Sequence, residues 1–167
     1  MSEVNVKGLR ELQAFLDQLP AKMEANIMRG ALRAGAKPIR IDAQRNLQTN
    51  GSVETGELVK GIKVTTRSRK GVVTATIKTA GKHGYIANWI EHGTAAHWIK
   101  PKNARSLFFA GLFAEVIEHP GARAKPFMRP AMDNRQQDAV IAVGNYIKAR
   151  LTKAGIEGAG DVEVGAA

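Results

Sequence analysis

The chain has 167 residues, 44% of them hydrophobic but only 5% aromatic, with 25 Lys+Arg against 15 Asp+Glu and no cysteine. That length suits one domain with a real core, and the shortage of rings leaves the core to Ala, Val, Ile, Leu and Met. The absence of cysteine removes disulfides, thiolate metal sites and cysteine nucleophiles together, as befits a chain folded in a reducing cytoplasm. The opening MSEVNVKGLRELQ has neither the apolar run nor the cleavage site of a signal peptide. No stretch approaches the roughly 20 apolar residues that span a bilayer. A soluble protein with no membrane partner, made in the cytoplasm, is expected. Its charge is uneven: residues 61–130 hold 12 Lys+Arg against 3 Asp+Glu, while 1–60 hold 9 against 7 and 131–167 hold 4 against 5. A basic middle third attracts nucleic acid or an acidic protein partner, or simply forms a solvated face.

In chain order, Val4-Asn5-Val6 begins a short strand that Gly8 ends. Leu9, Leu12, Phe15, Leu16 and Leu19 recur at helical spacing, and Pro20 closes that short helix. A longer helix runs from about Ala21 to Leu47, with Met28, Leu32, Ala36, Ile39, Ala43 and Leu47 on one stripe. Pro38 removes a backbone donor inside it, and with Gly35 nearby predicts a kink or break. Residues 48–56 are turn-rich, and Thr55 is placed to cap the short turn that carries Leu58. Alternation at Ile62 and Val64, and again at Val73, Ala75 and Ile77, predicts a hairpin turning at residues 68–71 and wetted on one side. Tyr85–Glu91 suits either a strand or a short helix. Leu107–Phe109 and Phe113–Ile117 read as two strands around Gly111, followed by the turn His119-Pro120-Gly121. Pro130 suits the first turn of a last helix striped by Met132, Gln136, Ala139, Val143, Ile147 and Leu151. The predicted class is α+β: a small antiparallel sheet with a long kinked N-terminal helix and a C-terminal helix packed on one face. Residues 1–154 make one domain, and 155–167 are a flexible Gly/Ala/acidic tail.

Enzyme signatures are missing. Gly81-Lys82 lacks the upstream glycine of a phosphate loop, and none of the four serines lies in a nucleophile elbow. Residues 61–130 offer only Glu91, Glu115 and Glu118 as carboxylates. His92 and His97 are five apart across Gly93, which fails the four-residue spacing of a zinc helix; His83 and His119 lie further off. Two imidazoles beside a basic patch are the raw material of a metal-independent nuclease, so His92 and His97 stand as its acid and base should one exist. Hydrogen-bonded loop histidines are the plainer account. No catalytic residue, cofactor or metal site is expected.

One ordered set of motifs is distinctive: Thr55-Gly56-Glu57-Leu58, then Ile90-Glu91-His92-Gly93-Thr94, Ile99-Lys100-Pro101, His119-Pro120-Gly121 and Lys125-Pro126-Phe127-Met128-Arg129-Pro130-Ala131. This order, over residues 4–153, resembles the neck or tail-completion (tail-component) family of long-tailed phages typified by phage Hong Kong ninety-seven. The family form has Thr-Gly-x-Leu, a hairpin, Glu-x-Gly-Thr, sometimes His-Pro-Gly, and Pro-Phe-[Leu/Met]-Arg-Pro-Ala opening the last helix. This chain departs from it in carrying His92 where a hydrophobic residue is common and Trp89 where Tyr often sits.

The resemblance implies a structural virion protein of a phage or prophage, made in the host cytoplasm and resident in the neck. It would form a ring, sixfold as tail tubes are, between the tail terminator or tube protein and the head-closure or connector proteins. It implies assembly roles for Thr55, Gly56, Leu58, Glu91, Gly93, Thr94, His119, Pro120, Gly121, Pro126, Phe127, Arg129 and Pro130. Physically, Pro126 and Pro130 stiffen their loop, Phe127 anchors it in the core or in a neighbouring subunit, and Arg129 offers a planar fork to a carboxylate. Arg67, Arg69 and Lys70 are set to meet packaged DNA or an acidic partner. The competing class is a small basic DNA-binding protein, which predicts tight binding that falls steeply with salt.

Overall fold

The computed structural model describes residues 6–52, 54–82, 84–102, 104–109 and 111–166. Val4 and Asn5, expected in the first strand, lie outside these, as does His83. The chain runs β1 (Val6–Lys7), α1 (Leu9–Leu16), α2 (Ala21–Thr49), α3 (Glu57–Gly61), β2 (Ile62–Arg69), β3 (Val72–Thr79), α4 (Gly84–His92), β4 (His97–Ile99), β5 (Leu107–Phe109), β6 (Leu112–Ala114), β7 (Ile117–His119) and α5 (Met128–Lys153). A 3-10 turn at Ala159–Asp161 and β8 (Gly165–Ala166) complete it. The α+β class holds, with the β content among the described residues divided into four two-stranded antiparallel pairs.

α2 is the spine. It packs on α5 along one side and on β2 and β3 along another, and those contacts carry it through Pro38 as one continuous helix. An interior proline costs about 3 kcal/mol, which a 29-residue helix packed on both sides can absorb. The predicted stripe holds at Ala36, Ile39, Ala43 and Leu47. Towards the N-terminus burial moves one position back, to Ile27 and Ala31, because that half faces a different set of partners.

There are two such sets. Ile39, Ala43, Leu47, Val59, Ile62, Ala87, Phe127 and Ala131 form one core cluster; Leu12, Leu16, Ile27, Ala31, Ile147, Leu151 and Ala159 form the other. Between them α2, β3 and α5 leave an open apolar groove of about 500 Å³, walled by Leu32, Ala36, Ile77, Met132, Val140 and Val143. Met132, expected on the buried stripe of the last helix, is therefore half exposed on the groove wall.

Of the two readings open for Tyr85–Glu91 the structure takes the helix, within α4. Two local expectations change. The β2–β3 ladder runs to Arg69↔Val72, so the turn is only Lys70-Gly71, both at positive φ (50° and 79°), as a tight primed hairpin turn requires. The strand expected over 113–117 is split into β6 and β7, since seven residues separate β4 from β5 but only two separate β6 from β7, and no single ladder can continue across unequal connections.

The largest correction is at the C-terminus. Residues 155–167, expected to be a flexible tail, fold back as far as residue 166: Ala159 is fully buried, Ile156, Val162 and Val164 pack on the second core cluster, and β8 pairs with β1. The Lys148 ammonium donates to the Val162 carbonyl at 2.8 Å. The segment is poor in apolar residues, but nearly every one it has is docked, which mean composition does not register.

Candidate functional site

The first turn of a helix presents N–H groups without partners. At α5 the N-cap residue is Phe127, whose side chain has no acceptor. Glu91, near the end of α4, supplies one from across the fold. Its Oε2 accepts the N–H groups of Phe127 and Met128, both at 2.8 Å, and its Oε1 accepts that of Arg129 at 3.0 Å. The negative charge also meets the positive end of the helix dipole. Burial pushes the Glu91 carboxyl up, but the three backbone donors Met128, Phe127 and Arg129, helped by nearby His92, bring it below its ordinary 4.5.

A depressed carboxylate stabilises the fold above its unfolded value and loses that contribution as pH falls through the folded value. Glu91→Gln is therefore expected to cost about 1–2 kcal/mol at neutral pH. The gap from wild type, read by urea unfolding, should close once the pH drops below about 4.5. A gap that is the same at pH 7 and pH 3.5 would contradict the charged cap.

Gly93, Thr94, His119, Gly121 and Phe127 meet at the same junction, whereas Thr55 and Gly56 lie at the start of α3 and Ile99 on β4. Beyond α4 the chain turns at Gly93 (φ 75°), where a Cβ would sit 2.6 Å from the Ala122 carbonyl oxygen. Thr94 and Ala122 exchange backbone hydrogen bonds at 2.9 and 3.1 Å, and the Thr94 hydroxyl accepts the Ala122 N–H as well. Gly121 (φ 85°) leaves no room for a side chain, since its Cβ would lie 2.2 Å from the Thr94 oxygen. His119 Nδ1 accepts the Gly121 N–H across Pro120. Lys125 donates its N–H to the Ile90 carbonyl at 2.7 Å, while Asn46 and Asn50 of α2 donate to the carbonyls of Phe127 and Lys125. Phe127 is 1% exposed. Of its two expected anchorages, the structure gives the core of its own chain. Thr55 accepts the Glu57 N–H at a long 3.4 Å, Gly56 sits at φ 74°, and Leu58 packs on the first core cluster. Pro126 and the Arg129 side chain face solvent, Pro130 is half-buried, and the guanidinium has no carboxylate partner among the described residues.

From this junction the strands β4 to β7 project as an arm. β4 pairs with β7, and further out β5 pairs with β6; each packs chiefly on its own partner strand. Having little else to pack on, the arm leaves Trp98, Ile99, Phe108, Leu112, Phe113 and Val116 exposed, Phe108 by 67% and Phe113 by 77%. Phe108 and Phe113 face each other across the strands with centroids 5.1 Å apart. That is on the order of 600 Å² of bare apolar side chain, at the top of the range for a monomer's largest patch.

The three described histidines bond to backbone groups. His92 Nδ1 donates to the Asn88 carbonyl and His97 Nδ1 to that of Ala95, while His97 stacks on His119 with centroids 5.0 Å apart. Among the described residues no group of three or more His, Asp or Glu is placed to hold a metal, and no helix is long and apolar enough to cross a membrane. Arg67 and Arg69 stand on the outer face of β2, with Lys70 at its turn, all exposed.

Two groups of residues escaped the reading of the sequence. The arm's aromatics looked like ordinary strand interior, and only the run Leu107–Phe113, apolar on both faces of two short strands, hinted otherwise. Arg33, Lys37 and Arg40 of α2 converge with Lys63 of β2 on one recess; the charge tally had spread them over two regions, though their spacing of four and three is helical.

The family model HK97-gp10-like, described as "Bacteriophage HK97-gp10, putative tail-component", matches residues 10–93, from α1 to the glycine after α4. No curated protein and no solved structure matches the chain.

Proposed function

The chain belongs to the HK97-gp10-like family of bacteriophage tail components, and from that premise we propose that it is a structural, non-catalytic subunit placed where tail meets head. It works as a ring, sixfold as the tail tube is, between the tail terminator or tube on one side and head-closure or connector proteins on the other. It is resident in the virion after assembly in the host cytoplasm.

The observation that carries this reading is the arm. A ring closes through head-to-tail contacts, so each subunit needs two unlike surfaces that fit one another. The arm offers a projecting apolar tip, and the groove between α2, β3 and α5 offers an apolar recess. The arm's bare area approaches the ~800 Å² per partner of a stable interface. The motif residues serve this indirectly: Glu91, Gly93, Thr94, His119, Gly121 and Phe127 fix the root of the arm to the start of α5, which sets the direction in which it points. Arg129, Pro126 and Pro120, left at the surface of that root, are placed to touch the neighbour.

Particles assembled without this protein test the assignment. Electron microscopy should show filled heads and finished tails lying apart; heads joined to working tails would overturn it.

A further inference from the structure

From Ala25 to Ile41, α2 carries Arg29, Arg33, Lys37 and Arg40 and no acid, and from Leu58 to Ile90 the chain has no acid either. The two stretches meet. Arg33, Lys37 and Arg40 line one recess of about 360 Å³ together with Lys63 and Val64 of β2. Arg33 donates to the Thr66 hydroxyl at 3.1 Å, which fixes one side of its fork and leaves other N–H groups free. None of the four has a carboxylate partner among the described residues. Four unneutralised cations around one opening hold a strong positive field that a mobile counterion or a fixed anion must answer.

We propose that this recess binds the phosphodiester backbone of nucleic acid, without regard to its sequence. Two guanidinium forks match phosphate oxygens two at a time. The row from Arg29 to Arg40 extends about 16 Å along the helix, long enough to follow successive phosphates. An acidic polypeptide fits less well, because protein interfaces are anchored by buried aromatic or aliphatic side chains, and the recess offers only Val64. The site lies on α2 and is separate from the apolar arm, so it stands or falls without the ring.

The test is fluorescence anisotropy of the full chain with a short mixed-sequence DNA duplex across a salt series. Binding in the range of about 10⁻⁴–10⁻⁶ M near physiological salt is expected, with a log–log salt slope of roughly −3 to −4 for four neutralised phosphates. Lys37→Gln with Arg40→Gln should weaken binding and flatten the slope by about two. Lys100→Gln with Lys102→Gln, an equal charge change on the arm, should leave the slope unchanged. Thermal melts confirm that both variants fold. Equal losses from the two pairs would mean that net charge alone binds DNA, and would overturn the site. So would polyglutamate binding as tightly as DNA at matched charge, which would mark an acidic protein as the partner.

Discussion

Replacing Phe127 by alanine is expected to lower the unfolding free energy by about 3–5 kcal/mol, as for a fully buried ring truncated in a packed core. The side chain is 1% exposed and lies with Ile39, Ala43 and Leu47 of α2, Val59 and Ile62 of the α3–β2 segment, and Ala87 of α4. Its backbone is held as firmly: the N–H bonds to Glu91 and the carbonyl accepts from Asn46. The ring thus sits where the start of α5, the C-terminal half of α2 and the end of α4 are joined. A domain of this size is stable by about 5–15 kcal/mol in total. The melting temperature should accordingly fall by roughly 6–20 °C. Phe127→Leu, which keeps most of the volume, should cost about half as much or less. A residue whose work was done against a neighbouring subunit would behave differently, with unchanged monomer stability and weakened assembly. A loss under about 1 kcal/mol for the alanine variant would therefore return Phe127 to the interface.

What could be read from the sequence follows from what is periodic and local. The α2 stripe from Ala36 onward and the β2–β3 alternation are written in adjacent residues, and the structure keeps them; the cap expected from Thr55 it replaces with Gly56, which carries no side-chain cap bond. Pro38 left a kink and a break both open, and only the packing of α2 along two sides shows that the helix is not broken there. The C-terminal segment misled: Ala159 and Val164 are few, and only their docking against α1 and α5 shows that they suffice. The junction was legible as a set of motifs but not as a mechanism. No spacing rule connects Glu91 to the N–H groups of residues 127–129, 36 to 38 positions later. Nor does any local signal connect Asn46 to the Phe127 carbonyl. The arm was the hardest part, because an apolar residue in a short strand looks the same whether it faces a core or water.

That ambiguity is what the second large effect turns on. Phe108→Ser together with Phe113→Ser is expected to abolish self-association while leaving the fold intact. Both rings lie well outside the core and touch chiefly each other, so their removal costs the isolated chain only about the 0.5–1.5 kcal/mol of one exposed aromatic pair. In an assembly they would be the desolvated anchors at the centre of a contact, where each truncation costs about 2 kcal/mol or more; the pair should weaken association at least about a hundredfold. Sedimentation velocity reads this directly. The partner surface can be addressed separately with Met132→Glu, which puts a charge on an already half-exposed wall of the groove. If the arm of one subunit enters the groove of the next, either variant alone stays monomeric. Mixing the two restores one intact interface, from the unaltered arm of the Met132→Glu chain to the unaltered groove of the other. The mixture should form pairs that cannot propagate into rings, because the second interface of each pair carries both lesions. Arms that dock on arms would leave Met132→Glu assembling normally, and an arm reserved for another virion protein would leave both variants as associated as the wild type.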